Sequence, residues 1–178
     1  MRTASPDEAA RAFVSVASNI DPTVNVPRAL SLLGQRVRLL GVSTLRRTPP
    51  IGPPGQPAFI NGVLALDTVV PPRRLQYDVL RRIEDDLGRV RTDDPYAPRP
   101  IDLDLLLYGR ITCSDADLRL PSPDVRRPFV RAGLLEVDPM LRLPPSGKSL
   151  SSTHTDAGPS VGEPLPNLTA AVRKSLGL

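Results

Sequence analysis

The sequence predicts an α+β sandwich, an antiparallel sheet with helices on one face and C-terminal additions. Strand-type and helix-type apolar patterns follow one another in the order β-α-β-β-α-β. Each is closed by proline, glycine or polar turn residues. The chain has 178 residues, 40% of them hydrophobic, so it is about one domain long and can bury a core without staples.

Residues 1–10 are polar and are expected to be a disordered extension. Ala12 to Val16 is a short apolar strand, stopped by Ser18-Asn19-Ile20-Asp21-Pro22. Val24 to Leu33 has helical spacing at Val26, Ala29, Leu30 and Leu33, with Pro27 expected in the first turn. Val37 to Leu45 reads as one strand, and Thr48 to Pro57 as a stiff loop without ladder potential. Phe59 to Val69 alternates as a strand. Pro71 and Pro72 open a helix from about Arg73 to Leu87, stopped by Gly88. Ile101 to Tyr108 is the last strand of the set, which completes the split βαβ, ferredoxin-like arrangement. Pro128 to Val137 reads as a short helix. Residues 11–143 form the expected domain, 144–164 a Ser/Gly/Pro-rich flexible segment, and 165–178 a C-terminal helix. There is no internal repeat.

Composition narrows the chemistry. With one cysteine and one histidine, neither an internal disulfide nor a His/Cys metal cage can form, so a metal would sit on carboxylate oxygens. Cys113 has no histidine partner and reads as a strand-end residue, and His154 falls in the flexible segment. Aromatics are only 3%, without tryptophan, which argues against base stacking on single-stranded nucleic acid. Lys148 and Lys174 are the only lysines, so the net charge of +4 is carried by arginine, which suits phosphate or carboxylate binding. No run approaches membrane-span length and no apolar leader core is visible, so a cytoplasmic location is expected.

The most informative run is Ile101-Asp102-Leu103-Asp104-Leu105-Leu106-Leu107-Tyr108. On a strand, Asp102 and Asp104 project from one face about 6–7 Å apart. Two such carboxylates repel unless something positive lies between them, and hard oxygen ligands suit Mg²⁺ with substrate phosphates. A solvated edge face is the plainer alternative. Arg89, Arg91 and Arg99 lie just upstream, either salt-bridged to nearby acids or forming the cationic half of a phosphoryl-transfer site. No Walker A or kinase glycine loop is present.

The run from Gly88-Arg89-Val90-Arg91 through Ala97-Pro98-Arg99-Pro100 to Tyr108-Gly109 resembles the signature of the 6-hydroxymethyl-7,8-dihydropterin pyrophosphokinase family. Phe13 to Asn19, Arg46 to Ile51, Phe59 to Val63 and Leu118 to Val130 extend the resemblance across residues 11–143. It implies transfer of pyrophosphate from ATP to the pterin hydroxymethyl group, a folate-pathway step, with two Mg²⁺ ions on Asp102 and Asp104. Arg89, Arg99 and Asp104 would be catalytic. Glu84, Arg89, Arg91, Arg99, Leu105, Arg119 and Ser122 would contact ATP. Thr48, Pro49, Pro50, Ile51, Phe59, Asn61, Tyr96 and Phe129 would hold the pterin. The implied partners are these small molecules, with no nucleic acid or membrane, and the implied state is a monomer.

The chain departs from the family pattern at Ala17 (usually glycine), Tyr96 (tryptophan), Ala97 (glycine) and Ser122 (histidine). The missing histidine and tryptophan favour one alternative, a catalytically weak or re-specialised pterin or nucleotide binder, and the arginines and the fold favour another, an RNA-binding ferredoxin-like domain.

Overall fold

The computed structural model describes residues 9–50, 55–94, 96–153 and 161–178. In chain order its elements are β1 (Ala10–Ser18), α1 (Pro22–Gly34), β2 (Arg38–Val42), β3 (Arg46–Thr48) and β4 (Phe59–Thr68). Next come α2 (Pro72–Arg74), a π-helical segment (Leu75–Leu80) and α3 (Arg81–Asp86), which form one continuous helix. β5 (Asp102–Tyr108), β6 (Cys113–Ser114), β7 (Arg119–Leu120), a 3₁₀ turn (Pro123–Arg126) and α4 (Pro128–Val137) follow. The chain closes with β8 (Arg142–Leu143), β9 (Lys148–Ser149), a second 3₁₀ turn (Leu150–Ser152), β10 (Glu163–Pro164) and α5 (Pro166–Leu176).

The main sheet has the order β10-β3-β4-β1-β5, with β2 also on β4. Taking β2 and β3 as one interrupted strand, this is the ferredoxin-like order, and all the pairs are antiparallel. Alternation along the strands divides the core in two. Val14, Val16, Leu64, Leu66, Leu103 and Leu105 face α1, the long helix and α5. Phe13, Val63, Ala65 and Leu106 face α4, one of the C-terminal additions. Each fully buried leucine in these layers contributes about 1.5–3 kcal/mol. Gly133 lets α4 sit close to the sheet, since a Cβ there would lie 2.7 Å from Val63 Cγ2.

Beyond the α4 cluster the same face carries Ser15, Ala17, Asn61, Asp102 and Asp104 in place of large apolar side chains. The register places Arg46, Asn61, Ala17 and Asp102 in one row across β3, β4, β1 and β5. At the usual strand spacing, Asn61 and Asp102 are about 10 Å apart.

Three elements differ from the sequence expectation. The strand expected over 37–45 breaks at Ser43 to Leu45. There Ser43 Oγ accepts from Val63 N (2.9 Å), Thr44 N donates to Glu136, and Leu45 N donates to Thr169. Ser43 N still donates to the Val63 carbonyl, while side chains take up the amides of Val63, Thr44 and Leu45. Helix α1 begins at Pro22, so Pro27 lies inside it and not in its first turn, leaving the Thr23 carbonyl without its helical donor. The long helix contains the π segment, which the apolar spacing does not show. Within 144–164, the described residues form part of the β8–β9 hairpin, the second 3₁₀ turn and β10.

Candidate active site

β5 is an edge strand whose outer backbone is paired to side chains. Leu103 N donates to Glu84 Oε1 (2.7 Å), and Leu105 N donates to Gln76 Oε1 (2.8 Å). Gln76 Nε2 returns a bond to the Leu103 carbonyl at 3.3 Å. The long helix therefore docks on β5 through two polar residues set within its apolar stripe, and this fixes the strand that carries both aspartates. A buried amide left unpaired there would cost about 1–3 kcal/mol.

Asp102 is held on both oxygens, Oδ1 by Arg89 and Oδ2 by Arg99 Nη1 at 2.7 Å. Arg89 also bonds Glu84 Oε1 (3.0 Å) and the Ile101 carbonyl (3.1 Å). Arg91 pairs with Glu84 and with Asp85. Glu84 is expected to contact ATP, yet the structure buries it to 1% exposure beneath these arginines. Its oxygens serve Arg89, Arg91 and Leu103 N, so it positions the cations. Burial pushes its carboxyl up to about 7, with Asp102 adding repulsion, while Leu103 N, Arg89 and Arg91 pull it down.

Asp104 is exposed at its tip but set deep among protein atoms, and its carboxylate has no hydrogen-bond partner among the described residues. Desolvation first, then repulsion from Asp102 and Asp124, pushes it up to about 6 against the pull of Arg89 and Arg99. It faces a cleft of about 310 Å³ lined also by Arg81, Leu105, Arg119, Ser122 and Asp124. Leu105 is buried and meets the cleft only at its edge. Ser122 Oγ accepts from Asp124 N (3.2 Å) and caps the 3₁₀ turn. A second cleft of about 200 Å³ is walled by Arg89, Arg91, Pro98 and Arg99.

The β3–β4 side carries an uncharged pair. Asn61 Nδ2 donates to Thr48 Oγ1 at 2.7 Å, both residues are 5% exposed, and Asn61 Oδ1 has no hydrogen-bond partner among the described residues. Pro49 and Pro50 continue from β3, and Ile51 lies outside the described residues. Arg99 stands 5.8 Å from the Phe59 ring centroid, which joins the two sides. Tyr96, on the arginine loop, is 44% exposed. Phe129 starts α4 and packs half-buried against the second core layer.

Sequence reasoning missed Gln76, Asp124 and the bridging role of Asn19. Asn19 Oδ1 accepts from Arg99 N (2.7 Å), and its Nδ2 donates to the Pro57 carbonyl (3.4 Å), tying the arginine loop to the loop after β3. A glutamine eight residues before Glu84 on the same apolar helical face was the available signal for Gln76.

Fold and site together define a ferredoxin-like α+β protein with an aspartate pair set among three arginines. Residues 13–139 match the family model described as 7,8-dihydro-6-hydroxymethylpterin-pyrophosphokinase (HPPK). A Pseudomonas aeruginosa protein named 2-amino-4-hydroxy-6-hydroxymethyldihydropteridine pyrophosphokinase is 40% identical over 138 residues, 75% of this chain and 84% of its own length. A Haemophilus influenzae protein of the same name is 34% identical over 76% of this chain and 86% of its length. The fold is similar to that of wild-type Plasmodium falciparum HPPK-DHPS, with TM-score 0.59 and 12% identity. That likeness covers 83% of this chain, which spans 43% of the larger protein. The chain belongs to the HPPK family.

Proposed function

We propose that this chain transfers the β,γ-pyrophosphoryl group of ATP to the hydroxymethyl oxygen of 6-hydroxymethyl-7,8-dihydropterin, releasing AMP. The observation that carries this reading is the row across the sheet. Within it the Asn61 amide, next to Arg46, stands about 10 Å from a carboxylate held by two arginines, which supports a heterocycle on one side and phosphates on the other.

At the heterocycle end, Asn61 Oδ1 accepts an N–H of the pterin while Thr48 holds the amide in place. The backbone from Thr48 to Pro50, with Ile51 beyond, lines its edge, and Phe59, Tyr96 and Phe129 supply ring faces. At the phosphate end, Arg89, Arg91, Arg99 and Arg119 hold the triphosphate. The hydroxymethyl oxygen attacks the β-phosphorus, an O–P bond forms, the bond to the α,β-bridging oxygen breaks, and AMP leaves with that oxygen. The hydroxyl proton is lost to solvent. Arg89 and Arg99 neutralise charge developing on the phosphoryl oxygens, a form of stabilisation in which a single donor is worth about 10²–10³ in rate.

The residues present fit Mg²⁺. Asp104 is an unpartnered hard-oxygen donor in the cleft, Asp102 is its neighbour on the same face, and no cluster of three or more His, Cys, Asp or Glu occurs among the described residues. The remaining ligands would be ATP phosphates and water. Asp102 and Asp104 would hold the ions, which when bound polarise the phosphates and acidify the attacking hydroxyl. No helix among the described residues is long and apolar enough to cross a membrane.

The test is AMP release from ATP and the dihydropterin. Turnover that needs Mg²⁺ is expected for the wild type and none for a folded Asp104→Ala variant. Near-normal turnover by that variant, or no AMP from the wild type, would overturn the proposal.

A further inference from the structure

Residues 161–178 lie beyond the part of the chain that the family model matches, and they are built against β2 and β3. The break at Ser43 to Leu45 leaves backbone groups without ladder partners, and Leu165 and α5 supply those of Leu45. Arg173 Nε and Nη2 both donate to the Val42 carbonyl, at 2.9 and 2.6 Å. Thr169 Oγ1 accepts from Leu45 N (2.9 Å) and donates to the Leu165 carbonyl, while Leu165 N donates to the Leu45 carbonyl (2.8 Å). Val172 is 2% exposed in the first core layer, so the helix is anchored by apolar packing as well.

Strand β10 then pairs with β3, Glu163 opposite Arg47 and Pro164 opposite Arg46. The approach at Gly162 is close. Its φ of +92° is one that side chains avoid, and an added Cβ would stand 2.6 Å from the Arg47 carbonyl oxygen and 2.8 Å from Thr48 Cγ2. Thr48 is the residue that holds Asn61. β3 is only three residues long, so its position depends on what borders it.

We propose that residues 161–178 form a strap that sets the pterin wall, with Gly162 and Thr169 as positioning residues for the heterocycle. The inference rests on the pyrophosphokinase reading for its ligand. The strap holds Leu45 from one side and Thr48 from the other, so the Thr48–Asn61 pair is formed before the pterin arrives. Such pre-ordering raises affinity for the heterocycle without touching the phosphate end.

Gly162→Ala should raise the KM for the dihydropterin about five- to tenfold, leaving kcat and the KM for ATP within about twofold. Thr169→Val, which orphans Leu45 N, should act alike, and Thr169→Ser should restore wild-type values. In both damaged variants, amide exchange of a peptide spanning 46–48 should speed up more than that of peptides from β5, beyond what any fall in melting temperature brings. If Gly162→Ala fails to fold, the two Thr169 variants decide. Faster exchange with an unmoved pterin KM, or an equal rise in both KM values, overturns the strap. Calorimetry of the wild type with dihydropterin is the separate control. Absence of binding there strikes the function reading, whereas the exchange data still report whether residues 161–178 hold β3.

Discussion

The two ends of the row across the sheet are built on opposite principles. At the β5 end, Asp102, Asp104, Glu84 and three arginines lie close together, and two carboxyls are pushed up to about 7 and about 6. At the β3–β4 end, Asn61 Nδ2 donates to Thr48 Oγ1 at 2.7 Å, an uncharged pair that leaves Asn61 Oδ1 open. The charged end keeps its carboxyls in mutual repulsion until anions and cations arrive, whereas the neutral pair is set beforehand with one acceptor left open. A group-transfer site gains from both. Unrelieved repulsion rewards binding of metal and phosphate, and a rigid neutral wall fixes the acceptor.

Four substitutions sharpen this contrast. Asp104→Ala should lower kcat by about 10³ or more, since it removes the open carboxylate, while AMP release is followed by chromatography and the fold by circular dichroism. Asn61→Ala should raise the pterin KM about 10²-fold with the ATP KM unmoved, because a polar reader of the heterocycle edge is lost. Equal changes in both KM values would erase the division between the ends. Gln76→Leu should destabilise the protein by about 2 kcal/mol in urea melts, as the Leu105 amide is left buried without an acceptor.

The smallest effect concerns pH. Asp104 has a folded pKa of about 6 against an ordinary value near 4, so its contribution to stability is fully present below about pH 4. That contribution is lost as pH rises through 6. Asp104→Asn should therefore stabilise the metal-free protein at pH 8 and leave it unchanged at pH 4. Because the carboxyl tip is solvent-screened, about 1 kcal/mol is expected rather than the full shift. Urea melts of both proteins at the two pH values, without Mg²⁺, measure it. An equal difference at pH 4 and 8 would contradict the repulsion described for Asp104.

The charged end was legible in the sequence because its parts are close together in the chain. Arg89, Arg91 and Arg99 precede Asp102 and Asp104 by 3 to 15 residues, and strand alternation alone puts the two carboxylates on one face. The strand order followed from the same local patterns. The break at Ser43 to Leu45 was hidden, because its partners Glu136 and Thr169 are 92 and 124 residues away from the amides they accept. β10 was hidden for a related reason. Two exposed residues, Glu163 and Pro164, have no periodicity, and they are held by β3 pairing, the Arg47–Glu163 ion pair and the tight Gly162 approach. The π segment has no local signature, although it brings Gln76 into the apolar stripe.

The side-chain bonds from Gln76 and Glu84 along β5 also bear on self-association. The strand reads Leu-Asp-Leu-Leu-Leu-Tyr from residue 103 after Asp102, apolar on both faces apart from the aspartates. An uncovered edge of that composition is a template on which a second molecule can add a strand. With Leu103 N, Leu105 N and the Leu103 carbonyl already engaged, the native edge offers fewer free groups for an incoming chain. Asp102 and Asp104 act there as gatekeepers, so removing a carboxylate for the sake of stability would also remove protection against aggregation.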